Sequence, residues 1–487
     1  MSSLSQKLYR GFPVIGGSEV SPKSESFLHL SDPATGEIWA RIAAGGIAEV
    51  SQAISSAEEA FKSSDWFDLK CSDRAAILYN LAQLIRHHRQ ELASLESRNV
   101  GKPIQNAQSE VIAAAECFEY YAGAIGKVGG LTLPLNSTGY NLTLRQPLGV
   151  CVAIVPWNYP LMIAAWKIAP ALAMGNTVVL KPASLTPITA LRLGLLALEA
   201  GLPAGVLNIL PGDGNEIGEA MVCHPLVQKV SFTGSTEVGK QIVHLSATGL
   251  KRTTLELGGK SAAIVFADAN LQDTIPALVR GILGNAGQDC CARSRLLLEK
   301  PIFEAVVEQL AIKFKTHALG HPLEPQTKMG PLISLEHRER VRNYIKLGQE
   351  EGAKLVIGGN IPQDIALVDG AYFLPTIFQN VHPDAKIAQQ EIFGPVLCII
   401  PFETELEAIE IANNSLYGLS GSIWTQDLAR ALRVAKAVRA GVLSINSNSS
   451  IHLELPFGGV KQSGFGKELG LAALDCYSEI KSVFINT

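Results

Sequence analysis

Two cysteines stand side by side, Cys290 and Cys291, in the stretch GNAGQDCCARSR at 284–295. Adjacent cysteines bridge each other only with a distorted backbone. A C-C pair also lacks the spacing of a metal clip, so no metal is assigned and nucleophilic chemistry is the reading to weigh. A thiol that attacks a carbonyl needs thiolate character, donors for the developing oxyanion, and a base for the second half-reaction. Cys290 follows Gly287, Gln288 and Asp289, a run consistent with a loop entering a helix, whose first N–H groups would favour a thiolate and then an oxyanion. An isolated cysteine is more often a buried packing residue, so the helpers decide. LELGGK at 255–260 holds Glu256 between two leucines. That carboxyl is either on the wet face of an alternating strand or desolvated in a site, where burial would raise its pKa toward that of a useful base. PWNYP at 156–160 clamps Asn158 between prolines as a rigid amide donor, although Asn is also common in plain turns.

A second constellation concerns phosphate and ribose. In VQKVSFTGSTEVGK, Gly234 and Ser235 follow a strand and precede a helix. Glycine permits the tight turn, and the helix N-terminus offers free N–H groups to a pyrophosphate. Only Gly234 and Gly239 stand where a dinucleotide fingerprint has three glycines, so a strand–turn–helix without ligand accounts for this stretch equally well. LKPAS at 180–184 places Lys181 after an apolar run. It reads either as a solvated strand end or as a donor to ribose hydroxyls at the carboxyl edge of a sheet.

The elements that must position these groups follow an α/β rhythm. Residues 47–62 and 73–98 carry apolar positions at helical spacing. GVCVAIV (149–155) and NTVVLKP (176–182) read as buried parallel strands around a helix at 161–174. Strands and helices then alternate through 187–200, GVLNILPG, 215–223, VQKVSFTG and TEVGKQIV, the doubly wound nucleotide-binding arrangement. A second series begins with SAAIVF at 261–266 and runs through helices at 302–315 and 336–352 to VLCIIPF at 396–402, and the alternating YSEIKSVFIN at 477–486 reads as a strand.

Composition narrows the class. A chain of 487 residues exceeds one core, which predicts two or three domains. The formal charge of −4 gives no reason to expect nucleic acid or an anionic membrane as partner. The most apolar region, 150–180, is interrupted by Pro156, Asn158, Pro160, Lys167 and Pro170. It is therefore buried core with something polar placed inside it, not a span of roughly 20 apolar residues. Eight thinly spread cysteines match reduced thiols, and the beginning MSSLSQKLYRGFPVIGG lacks the apolar centre of a signal peptide. A cytoplasmic protein is expected.

Taken together, DPATGE (32–37), PWNYPLMIAAWKIAPALAMGNTVVLKPAS (156–184), FTGSTEVG (232–239), LELGGKS (255–261), GQDCCARSR (287–295), KMGPLIS (328–334), EIFGPV (391–396) and PFGGVKQSGFGKELG (456–470) resemble the aldehyde dehydrogenase superfamily along nearly the whole chain. The resemblance implies an α/β fold, with a Rossmann-like cofactor domain (1–124 and 147–255), an α/β catalytic domain (256–455), a return segment (456–474) and a small β oligomerisation arm (125–146 and 475–487). It implies that Cys290 attacks and Cys291 lines the pocket, that Asn158 and the Cys290 N–H hold the oxyanion, and that Glu256 activates water. It places Trp157, Lys181, Ser184, Gly234, Ser235, Glu391 and Phe393 against NAD or NADP. The expected reaction is oxidation of a small-molecule aldehyde to its acid through a cysteine thiohemiacetal and thioester. The presence of Glu256 argues for water as acyl acceptor.

One position departs from the pattern. NAD-preferring members of that family typically carry Glu after K-P-A, whereas this chain has Ser184, so a 2′-phosphate would meet no repulsion there and NADP use is expected, alone or beside NAD. By alignment of motifs, Tyr159, Trp166, Gly284, Cys291, Ile451 and Phe457 line the substrate tunnel. They suggest a medium or bulky apolar aldehyde, with a semialdehyde or aminoaldehyde as the alternative. A homodimer or homotetramer is expected through the arm. A non-catalytic NAD-binding scaffold and a cysteine hydrolase remain as readings of other classes. Activity without nicotinamide would favour the hydrolase.

Overall fold

A computed structural model describes residues 8–136, 138–449 and 451–486. Ser137, within the expected arm, and Thr487 lie outside the described residues. The architecture is α/β, with two large sheets and two small ones. The first large sheet has eight strands in the order Gly464–Phe465, Arg252–Glu256, Val227–Thr233, Val150–Ile154, Thr177–Lys181, Leu207–Ile209, Val14–Ile15, Ser18–Glu19. Its five central strands are parallel. The chain lays down Val150–Ile154, Thr177–Lys181 and Leu207–Ile209 in one direction, then returns to place Val227–Thr233 on the other side of the first strand. The crevice at that reversal, beyond the carboxyl ends of the strands, is where ligands bind in such sheets.

These strands form where β-branched runs can be buried on both faces, and the side chains of Val150–Cys151–Val152–Ala153 are all buried. The following helix, Pro160–Ala173, begins with the proline that the first helical turn tolerates, and every residue in it is buried, Lys167 included. The second large sheet has seven strands in the order Lys354–Ile357, Thr376–Gln379, Val396–Phe402, Arg295–Glu299, Ala262–Val265, Ser420–Trp424, Val442–Ile445, parallel except at Lys354–Ile357.

Two sequence expectations are corrected. The amphipathic pattern at 73–98 is two helices, Cys71–His87 and Arg89–Val100, interrupted where His88 leaves helical geometry. No helix begins at Cys290. The helix Leu271–Leu283 ends just before it, and Asn285, Ala286 and Gly287, all at positive φ, turn the chain through a loop that leads into the strand Arg295–Glu299. Successive left-handed residues cannot continue a right-handed helix.

The strand Tyr140–Pro147 pairs antiparallel with Ser478–Ile485 in a sheet of its own. Leu131, Leu133, Tyr140, Leu144, Ile480 and Phe484 are exposed on and beside it. No helix among the described residues is long and apolar enough to cross a membrane.

Candidate active site

A groove of about 760 Å³ opens at the carboxyl ends of the parallel strands of the first sheet. Trp157, Asn158, Lys181, Gly234, Ser235, Cys290, Glu391 and Phe393 all line it. Gly234 follows Val227–Thr233, and a side chain there would collide with the ring of Phe232. Ser235 caps the helix Thr236–Ala247 by accepting from the Val238 N–H at 3.3 Å. That places a helix N-terminus against the groove, suited to an anion. Lys181 is buried; its ammonium donates to the Pro182 carbonyl at 3.2 Å, and burial pulls its pKa down to about 8, opposed by Asp213. Ser184 lies on the turn beyond and donates to the Gly212 carbonyl at 2.8 Å, with no carboxylate in its place. A free helix N-terminus, a buried cation and a crevice at the switch point together fit a dinucleotide.

At the other end of the groove, Trp157 meets the ring of Phe393 edge-on at 5.3 Å and that of His337 at 5.7 Å. Phe393 stands at φ 63, a strained conformation for an aromatic residue. The His337 ring holds it through a hydrogen bond of 2.7 Å to its carbonyl oxygen. Glu391 accepts from the Gly259 N–H at 2.9 Å, while burial pushes its carboxyl up to about 7.

Cys290 sits between two spaces. It lines the groove, while its neighbours Asp289 and Cys291 line a second cavity of about 740 Å³ that opens past Gly284 and Ile451. The thiol is held well above its ordinary pKa, first by a hydrogen bond with Cys291, then by burial and by the charge of Asp289. These neighbours oppose the thiolate, and no helix start offsets them here. Asn158 is buried at 3% exposure, and its Nδ2 donates to the Gln288 carbonyl at 3.0 Å, two residues before the sulfur. Its own carbonyl accepts from Lys102 Nζ at 2.7 Å and from Asn285 Nδ2 at 3.2 Å. The amide is therefore fixed in place beside the loop that carries Cys290.

Glu256 closes the strand Arg252–Glu256 and is buried with neither carboxyl oxygen hydrogen-bonded. It does not border the groove; it faces Gly458, where a Cβ would come within 2.5 Å of Oε1. Burial raises its pKa well above the ordinary value, and Glu468 adds to the rise. A buried pair stands behind it: Lys167 Nζ donates to Glu468 at 2.8 Å and to Ser231 at 3.0 Å. An unpaired buried carboxyl of raised pKa is a candidate functional group.

The expected substrate-pocket residues divide. Gly284, Cys291 and Ile451 line the outer cavity. Trp166 and Phe457 do not; both are buried, packed edge-on at 5.4 Å in the core that also includes Cys291. Tyr159 contributes its hydroxyl, which donates to Asp289 at 3.3 Å. The cavity lining is mixed, with Asp273, Arg280, Asp289 and Arg293 beside Trp424 and Ile451. Sequence reasoning missed Lys102, His337, Glu468 and the role of Lys167. Only Lys167 left a signal, as a lone charge inside an apolar helix.

This geometry defines a protein with a groove fit for a nucleotide running onto a half-buried cysteine. The family comparison narrows that class: the Aldehyde dehydrogenase family matches residues 20–483. The betaine aldehyde dehydrogenase of Bacillus subtilis (strain 168) is 41% identical over 475 residues, covering 97% of each chain. The phenylacetaldehyde dehydrogenase of Pseudomonas fluorescens is 44% identical over 480 residues, 97% of this chain and 95% of that one. The crystal structure of PnpE in complex with nicotinamide adenine dinucleotide superposes with a TM-score of 0.96 at 42% identity, covering 98% of this chain and 97% of that one. The chain belongs to the aldehyde dehydrogenase family.

Proposed function

We propose that this protein oxidises an aldehyde to the carboxylic acid with NAD(P)+, with water as the acyl acceptor. The observation that carries the reading is the position of Cys290, which borders the nucleotide groove while its two neighbours border the outer cavity. An aldehyde entering from outside meets the sulfur on the side opposite the groove. Cys290 loses its proton to solvent, the Sγ–carbon bond forms as the carbonyl π pair moves to oxygen, and Asn158 Nδ2 with the Cys290 N–H receives that oxyanion. Trp157, Glu391 and Phe393 would hold a nicotinamide in the groove, where it would supply the hydride acceptor. Glu256 then takes a proton from water as its oxygen bonds to the thioester carbon. The C–S bond breaks, returning the electron pair to sulfur, and the acid leaves.

Lys181 and the helix opened by Ser235 hold the nucleotide, and Ser184 leaves room for a 2′-phosphate. The exposed apolar face of the two-stranded arm supports assembly into a homodimer or homotetramer, since an uncovered strand pair invites a partner, and the reduced thiols fit a cytoplasmic setting.

The test is reduced-cofactor absorbance with an aldehyde panel crossed with NAD+ and NADP+. Turnover that depends on nicotinamide, with measurable NADP+ use, is expected. Aldehyde-independent ester hydrolysis without nicotinamide would contradict the reaction. A kcat/KM preference for NAD+ of about a thousandfold, roughly 4 kcal/mol, would contradict the reading of Ser184.

A further inference from the structure

The outer cavity holds a carboxylate that the reaction does not use. Asp289 precedes the nucleophile, and one of its carboxylate oxygens, the Cys290 sulfur and the Cys291 sulfur all lie within 4.8 Å of one another. A negative charge there opposes ionisation of the thiol, so it is a burden to the chemistry unless it serves the substrate. It is also fixed: one oxygen accepts from the Cys291 N–H at 2.8 Å and the other from the Tyr159 hydroxyl at 3.3 Å. Tyr159 is itself pinned, with Lys102 Nζ 4.3 Å above its ring.

The other charges of the cavity are placed differently. Asp273 and Arg280 are exposed, on the outermost helix of the lining, and Asp273 accepts from Asn270. Arg293 is buried and donates to the carbonyl oxygens of Cys291 and Gly421. Asp289 is the carboxylate of the lining that lies beside the sulfur, half-buried where water is partly excluded and charge is felt more strongly than on the surface.

Resting on the reaction proposed above, we propose that Asp289 is a specificity-determining residue that selects aldehydes carrying a cationic nitrogen a short spacer from the carbonyl. The distance sets the spacer. A carboxylate within 4.8 Å of the sulfur and a charge-assisted contact of ~2.8 Å place the cation within reach of a chain of about three methylenes. The names of the relatives, which cover both a quaternary ammonium aldehyde and an aromatic one, do not decide between these classes; the carboxylate does.

The experiment compares isosteres that differ in charge, 4-(dimethylamino)butanal, protonated at neutral pH, and 5-methylhexanal, in wild type and in Asp289→Asn, with Asp289→Glu as a third protein. The quantity read is the ratio of kcat/KM for the cation to that for its neutral isostere. In this ratio any effect of Asp289 on the thiol cancels, because it acts on both aldehydes. The wild-type ratio is expected to exceed ten, to fall at least tenfold in Asp289→Asn, and to recover in part in Asp289→Glu. A wild-type ratio near or below one overturns the proposal without needing either variant. So does a ratio that Asp289→Asn leaves unchanged. Oxidation of neither aldehyde, nor of any member of the wider panel, would instead remove the reaction on which the proposal rests.

Discussion

At the residue scale, burial biases the active centre toward its neutral forms. The pKa of Cys290 is raised first by its hydrogen bond with Cys291 and then by burial, and that of Glu256 by burial and then by Glu468. Cys291→Ala removes the hydrogen bond that stabilises the thiol. Its alkylation by iodoacetamide at Cys290, followed by peptide mass spectrometry, should therefore shift to lower pH by about one unit; an unchanged midpoint would exclude Cys291 as the cause. Lys181 titrates in the opposite sense. Its folded pKa of about 8 lies below the ordinary value, so it is an ammonium below pH 8 and loses charge above. A neutral amine still donates to a ribose hydroxyl but no longer offsets a phosphate. The KM for NADP+ should therefore rise more steeply than that for NAD+ as pH passes 8; parallel rises would remove Lys181 from 2′-phosphate recognition.

At the scale of elements, the site depends on pieces distant in sequence that a single chain brings to one place. The helix Pro160–Ala173 carries Lys167 to Glu468, 301 residues away, and both are buried. Breaking such a pair leaves an uncompensated buried charge costing about 3–5 kcal/mol. Glu468→Gln should thus lower the melting temperature. It also removes a negative neighbour of Glu256 and leaves the Lys167 cation beside it, and both changes lower the carboxyl's pKa. The rising limb of kcat against pH should then move to lower pH, whereas a purely structural role would lower the melting temperature alone. Parts of this arrangement were legible in sequence. The strands at 150–154 and 177–181 follow from β-branched runs, and the intervening helix from its proline start. The partner of Lys167 was not legible, because nothing local in KELG marks Glu468 as buried. The loop at Cys290 was not legible for a related reason: a helix entry there was inferred from small residues, while the backbone at 285–287 turns left-handed.

At the scale of the molecule, two sheets present their functional edges to one another. The groove draws residues from 154–258 and from 290–393 together. Motif order disclosed which residues meet, but not that the outer cavity is charged, since the direction of Asp289 depends on Tyr159 and the Cys291 N–H. The arm behaves differently from the core. Leu144, Ile480 and Phe484 are exposed on paired strands, so Ile480→Asp with Phe484→Asp should reduce the sedimentation coefficient toward that of a monomer; an unchanged value would mean that this surface is not the interface.

The central claim is that Cys290 carries the acyl group and Glu256 is needed to release it. Intact-protein and peptide mass spectrometry of Glu256→Gln, incubated with an aldehyde and NAD(P)+, tests it most directly. Gln matches the neutral carboxyl in size, so folding should be preserved. The account predicts about one reduced cofactor per subunit in a burst, little steady turnover, and the mass of one acyl group on Cys290. An adduct on Cys291, no adduct at all, or undiminished turnover would contradict it.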